Sequence, residues 1–338
     1  MRASIAAVVV VASGVLAIAQ AACRPPKDEP VAVPDAGPPD PAVVARGEYL
    51  VKSVAGCGEC HTPRDATGKP DMTRWLAGAI DRFDVVPDDD TKGAISAPNL
   101  TPHVTGLLGW NDAEIKNAML NGVTDLGKAL YPVMPYYTFH NMTDDDATAI
   151  VVYLRTIPAI ENVVPDRQPL PAPFDKPAAP VPETAIPHTT LTSKDPNFAR
   201  AERGRYLAGS VGFCMDCHST WRAGSTVPLD TKTLFGGGRA FSAKEWSVTS
   251  PDGGTAPSVI YGYNITPHAS GIEGWNAPMV ATLLTKGLDD EGLPICRPMP
   301  SGPMGAFGGL TAGDALDLGV YITTLPPIES DPVPGCPR

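Results

Sequence analysis

Apolar positions along this chain gather into helical stretches of three kinds, each used twice. The first kind, at residues 43–54 and 198–210, runs into a pair of cysteines. The second, at 112–121 and 277–286, follows Asn111 or Asn276. Each Asn stands in N-cap position, where a short polar side chain accepts from the open N–H groups of the first turn. The third kind opens after Thr143 or Thr311 and stops at Pro158 or Pro326, which have no N–H to continue a helix. Gly and Pro punctuate the rest, and no run alternates apolar and polar residues long enough to predict a sheet. The pattern predicts a mainly α fold.

The pairing of the stretches reflects a repeat of whole domains. Arg46, Gly47, Tyr49, Leu50, Ser53, Val54 and Cys57 recur as Arg203, Gly204, Tyr206, Leu207, Ser210, Val211 and Cys214. Asn99-Leu-Thr-Pro-His103 recurs as Asn264-Ile-Thr-Pro-His268, and Gly109-Trp110-Asn111 as Gly274-Trp275-Asn276. The period is far longer than a supersecondary unit, which excludes a solenoid. The expected organisation is one domain at 43–160 and a second, with a C-terminal tail, at 197–338. Between them, 161–196 holds Pro165, Pro169, Pro171, Pro173, Pro177, Pro180, Pro182 and Pro187. Proline at that density favours extended geometry, so this segment reads as a semi-rigid linker.

Composition refines the picture at the N-terminus. Arg2, an apolar stretch at 5–18 and the small residues Ala19-Gln20-Ala21 read as a signal peptide over 1–22. The apolar stretch is short for a membrane span. Cys23 resembles the acylated cysteine of bacterial lipoproteins, and residues 23–42, rich in Pro, Asp and Ala, read as a tether behind it. Plain cleavage after Ala21, releasing a soluble periplasmic protein, is the alternative. Lys and Arg number 26 against 37 Asp and Glu, a net charge of −11, which argues against nucleic-acid binding and fits a basic partner.

Candidate chemistry lies in Cys57-Gly-Glu-Cys60-His61 and Cys214-Met-Asp-Cys217-His218. Cys-x-x-Cys-His is the attachment pattern of c-type haem. Two thiols at this spacing reach both vinyl groups of one porphyrin, and the adjacent imidazole projects beneath the iron. A redox dithiol or a zinc half-site is the competing reading, but no second Cys-x-x-Cys or His-x-x-x-His accompanies either motif. Two motifs predict two covalently bound haems c, on Cys57 with Cys60 and on Cys214 with Cys217, with His61 and His218 as proximal ligands.

An electron-transfer haem needs a sixth ligand, and Met134-Pro135 supplies a candidate in the first copy. The second copy offers Met299-Pro300 and Met304. An offset of 165 residues relates Asn99 to Asn264 and Gly122 to Gly287, which aligns Met134 with Met299. From Thr143 to Thr311 the offset is 168, so three residues are inserted beyond that methionine. Met134 and Met299 are therefore the expected distal ligands, and Met304 a core or loop residue. His103 and His268 are rival ligands that read equally as turn-capping residues. His140 has no counterpart. Trp110 and Trp275 suit either a haem edge or an ordinary core.

These motifs together resemble a duplicated class I cytochrome c. In particular the chain is similar to the multihaem cytochrome subunits that accompany membrane-bound alcohol, aldehyde and gluconate dehydrogenases. The likeness covers about residues 43–327, and those subunits usually carry Asp where His103 and His268 stand here. The resemblance implies a helical fold whose first and last helices cross. Gly47 and Gly204 stand where the crossing needs a small residue, and Tyr49, Tyr206, Tyr153 and Tyr321 supply bulk. It further implies a one-electron carrier between a donor such as a dehydrogenase and an oxidase or another cytochrome. A dihaem oxidoreductase with an exchangeable iron ligand, a peroxidase or sulfur-compound dehydrogenase, is the alternative. Of seven cysteines, four belong to the motifs and Cys23 to the anchor, which leaves Cys296 and Cys336. An oxidising compartment favours their pairing. Two free thiols, or Cys296 as an iron ligand, are the alternatives.

Overall fold

The computed structural model describes residues 37–65, 68–84, 93–166, 170, 172–222, 227–243, 245 and 258–333. The expected signal peptide and Cys23 lie outside these residues. Helix α1, Pro41–Tyr49, starts two residues earlier than its pattern predicts because Asp40 accepts from the Ala42 N–H at 2.8 Å and Pro41 fills the first helical position. It continues through a π-helical turn, Leu50–Val54, into the one-turn helix α2, Gly58–His61. Then come α3 at Asp112–Asn121, α4 at Tyr136–Phe139 and α5 at Asp144–Thr156. The order recurs as α6 at Phe198–Tyr206, a π-helical turn at Leu207–Val211, α7 at Cys214–Cys217, α8 at Ala277–Lys286 and α9 at Ala312–Thr323.

The helix ends follow their sequence signals. Asn111 and Glu114 form a reciprocal capping box at the start of α3, and Asn276 accepts from the Met279 N–H to open α8. Gly122 and Gly287 end these helices at φ +65° and +70°, in the left-handed region that favours glycine. Thr143 and Thr311 cap α5 and α9.

Helix α1 crosses α5, and α6 crosses α9, with backbones in contact. A Cβ at Gly47 would lie 1.9 Å from the Ala149 carbonyl oxygen, and one at Gly204 would lie 2.1 Å from that of Asp317. Any other residue would drive the helices apart.

Two antiparallel hairpins depart from the sequence expectation of no sheet. Strand β1, Ala79–Asp84, pairs with β2, Ala94–Ala97, and β3, Ala240–Ser242, pairs with β4, Val259–Tyr261. Strands this short carry too few alternations to register as a period.

From Pro38 onward the chain forms one compact unit. A continuous apolar core includes Leu50, Val51, Val54 and Ile150 from the first half with Leu207, Val211, Leu318 and Tyr321 from the second. The Pro-rich segment lies against both halves. The Val181 N–H donates to the Tyr137 carbonyl at 2.9 Å, while Tyr321 donates to the Pro187 carbonyl at 2.7 Å.

The halves clasp one another reciprocally. Tyr49 donates to Asp314 at 2.7 Å and accepts from the Thr311 N–H, at the head of α9. Tyr206 donates to Asp146 at 2.6 Å and accepts from the Thr143 N–H, at the head of α5. Arg46 grips Asp146 with two 2.8 Å bonds, and Arg203 pairs with Asp314. Beside the clasp, the rings of Phe213 and Phe307 stack with centroids 5.6 Å apart. A Cβ at Gly56 would lie 2.9 Å from the Phe213 ring. The residues preceding Cys57 and Cys214 thus meet at the seam between the halves.

Candidate haem sites

Both Cys-x-x-Cys-His motifs wind into a single helical turn. The His61 N–H donates to the Cys57 carbonyl at 3.0 Å, and that of His218 to the Cys214 carbonyl at 2.8 Å. One turn places the two sulfurs on one side and the imidazole just beyond. All four motif cysteines are thiols. Burial pushes the Cys57 and Cys214 thiols up to about 12, which keeps them protonated.

The imidazoles are held from two directions. Nδ1 of His61 lies 2.8 Å from the Pro98 carbonyl oxygen, and Nδ1 of His218 lies 2.7 Å from that of Tyr263. A carbonyl only accepts, so Nδ1 carries the proton and Nε2 presents its lone pair. Burial lowers both histidine pKa values, against a smaller opposing effect of these hydrogen bonds, and so favours the neutral ring. The backbone carbonyls of His61 and His218 are bound too, by the N–H groups of Gly78 and Gly237, both at 2.7 Å.

The Asn-x-Thr-Pro motif explains why those carbonyls stay in place. Pro98 and Tyr263 immediately precede Asn99 and Asn264. Asn99 Oδ1 accepts from the Thr101 N–H and hydroxyl at 2.9 and 2.8 Å, and its amide donates to the Ile160 carbonyl at 2.9 Å. Asn264 does the same with Thr266 at 2.9 and 2.7 Å and with the Ile328 carbonyl at 2.7 Å. The motif is a clamp on the imidazole's hydrogen-bond acceptor. His103 and His268 cap the turns that follow, with Nδ1 accepting from the N–H of Thr105 and Ser270.

Met134 and Met299 are half-buried and pack against the core, whereas Met304 is 74% exposed in a loop. The repeat alignment that selects Met299 agrees with this difference. Tyr131 and Val133, beside Met134, share an apolar cluster with Cys60, Phe83 and Ile95, so the first motif, its hairpin and the methionine loop converge. Cys217 packs with Phe241, Ala243 and Ile260 of the second hairpin. Cys296 is disulfide-bonded; its expected partner, Cys336, lies outside the described residues.

Several residues of the site have no local sequence signal. Leu76 and Phe235 occupy one position in the repeat and both adopt positive φ, +59° and +68°, while fully buried. Such a conformation costs a side chain about 1 kcal/mol or more. The surroundings enforce it twice, through hydrogen bonds from their N–H groups to Thr62 and Ser219. Tyr137, Asp216 and Arg239 form a buried triad beside the second motif: Tyr137 donates to Asp216, and Arg239 pairs with the same carboxylate.

Haem c requires two thiols on one turn, a neutral imidazole with Nε2 open and, for a low-spin carrier, a soft sulfur opposite. The thiols and the neutral imidazole of each motif suit that group. A zinc reading does not: among the described residues no three His, Cys, Asp or Glu side chains gather into a metal-holding cluster. No helix among them is long and apolar enough to cross a membrane.

Residues 44–158, which include the first motif, match the family described as cytochrome c, a family whose cofactor is covalently bound haem c. Known relatives carry related names. Over 120 residues the chain is 37% identical to a "Diheme cytochrome c-type" of Cereibacter sphaeroides, covering 34% of this chain and 36% of that one. Over 277 residues it is 27% identical to the "Gluconate 2-dehydrogenase cytochrome c subunit" of Pantoea cypripedii, covering 80% and 54%. Over 260 residues it is 27% identical to the "Alcohol dehydrogenase (quinone), cytochrome c subunit" of Gluconobacter oxydans, covering 75% and 48%. The matches thus span a third to about half of these relatives' own lengths.

Proposed function

We propose that the chain is a dihaem electron carrier built from two tandem class I domains, 43–160 and 197–338, joined by the Pro-rich segment. Cys57 with Cys60 and Cys214 with Cys217 attach the haems. His61 and Met134 would hold the first iron, and His218 and Met299 the second. When bound, haem iron takes up and gives back one electron at a time. The chain's residues hold each imidazole neutral and aimed, keep the thioether turn rigid and exclude water around it. A neutral thioether ligand would favour the ferrous state and raise the potential.

The observation that carries this reading is the repeated imidazole geometry. In both halves Nδ1 meets a backbone carbonyl that an Asn–Thr clamp fixes, which leaves Nε2 for a metal. The named relatives support a dehydrogenase as donor, and the acidic composition supports a basic docking partner; an oxidase or second cytochrome would be the acceptor. Export to the periplasm, with Cys23 as a lipid anchor, completes the proposal.

The distal ligands provide the test. Ferric protein should show the long-wavelength thioether-to-iron band, and Met134→Ala and Met299→Ala should each remove about half of it. Each variant should also open one iron to carbon monoxide, while Met304→Ala changes neither property. Carbon monoxide binding to wild-type protein would instead support an enzyme with an exchangeable ligand.

A further inference from the structure

The two motifs differ in how a cation meets them: Arg64 donates to the Glu59 backbone carbonyl of the first at 3.4 Å, whereas the second holds a buried ion pair. Gly78 and Gly237 play the same part in the repeat, each donating to the proximal histidine's carbonyl. Two residues later the first half has Ile80, which is 52% exposed, and the second has Arg239, which is buried. The guanidinium pairs with the Asp216 side chain and donates to the Asp216 backbone carbonyl at 3.1 Å. It also lies over the rings of Trp221 and Phe241, at 4.7 and 5.1 Å from their centroids. Asp216 stands inside the second motif, between Cys214 and Cys217, and its other polar contact is the fully buried Tyr137 of the first half. Its counterpart Glu59 is half-buried and accepts from the Ala306 N–H at 3.1 Å.

A buried carboxylate next to an iron opposes reduction, because the added electron meets an uncompensated negative charge. Arg239 is the one cation bonded to this carboxylate among the described residues. The pair lies at the attachment site: Asp216 directly precedes Cys217 in the motif, and the guanidinium bonds both its carboxylate and its backbone carbonyl.

We propose that Arg239 is a positioning residue that sets the midpoint potential of the second haem by compensating Asp216. This rests on the two-haem reading above. In R239Q the second haem's midpoint should fall. In R239K, which keeps the charge, it should stay near the wild-type value, and in the double variant D216N/R239Q it should recover. D216N alone leaves the cation uncompensated and should raise the same midpoint, which carries the test if R239Q matures poorly. Spectroelectrochemical titration fitted to two one-electron components reads these shifts. Hyperfine-shifted proton resonances, assigned through Met134→Ala and Met299→Ala, identify the haem that moves. A loss of packing alone would not be reversed by D216N. Two covalent haems with unmoved midpoints in both R239Q and D216N would overturn the proposal and spare the two-haem reading. One haem per wild-type chain would overturn both.

Discussion

The first and second sites share every contact that aims the imidazole and differ one layer further out. Nδ1 meets a carbonyl at 2.8 Å in one and 2.7 Å in the other, and the Asn–Thr clamps agree within about 0.1 Å. Beyond that layer the residues diverge. Gly58 sits under the Trp75 ring, which a Cβ would meet at 2.0 Å. The corresponding positions in the second half hold Met215 and Leu234, both almost wholly buried, a larger residue in the motif and a smaller one across from it. Exposed Ile80 becomes buried Arg239. Ligand geometry tolerates no change between the copies, whereas volume can be exchanged and charge can be added beside it. That division lets one scaffold hold two similarly aimed imidazoles in different electrostatic surroundings.

The comparison can be broken most severely at the helix crossings. Gly47→Ala or Gly204→Ala forces a methyl into a carbonyl oxygen. Overpacking of this kind costs about 1–3 kcal/mol and more where backbone must move. Both variants should lower Tm by similar amounts if the halves are equivalent here. Gly313→Ala in α9 meets nothing closer than 3.9 Å and should be neutral or slightly stabilising. Equal effects at Gly313 and Gly204 would show that the crossing is looser than described.

A smaller effect should come from the clasp. Tyr49→Phe and Tyr206→Phe each remove one hydroxyl that bridges the halves. Each should cost about 1–2 kcal/mol, because a charged acceptor loses a donor. The double variant should cost less than the sum of the singles if the clasp closes cooperatively, because each single loss already weakens the other contact. Strict additivity in denaturant titrations would argue that each contact acts alone.

The smallest effect concerns pH. Burial works to raise the Asp146 pKa, but hydrogen bonds from Arg46 and Tyr206 outweigh it and hold the carboxyl below its ordinary value. A carboxyl depressed by folding stabilises above its unfolded pKa, near about 4. That contribution is lost as pH falls through the lower folded value. The stability gap between wild type and Asp146→Asn should therefore be widest near neutrality and narrow in acid. A gap that stays constant down to strongly acidic pH would contradict the linkage.

What the sequence made legible was local. The motifs, the caps at Asn111, Asn276, Thr143 and Thr311, and the crossing glycines each carry their signal within a few residues. Aligning the repeat separated half-buried Met299 from exposed Met304, which composition alone could not do. The clasp and the triad were not legible because their partners are far apart: 265 residues separate Tyr49 from Asp314, and 79 separate Tyr137 from Asp216. Arg239 follows three glycines and reads as a surface cation until the fold closes Trp221 and Phe241 around it. The left-handed Leu76 and Phe235 carry residue types that give no hint of positive φ.

The central claim is that both halves bind haem covalently, and the mass of the denatured chain tests it most directly. Wild-type protein should carry two haems through denaturation and acid extraction. Cys57→Ser with Cys60→Ser should leave one, and so should Cys214→Ser with Cys217→Ser. A wild-type chain carrying one haem, or a double variant in either motif that keeps both, would contradict the account.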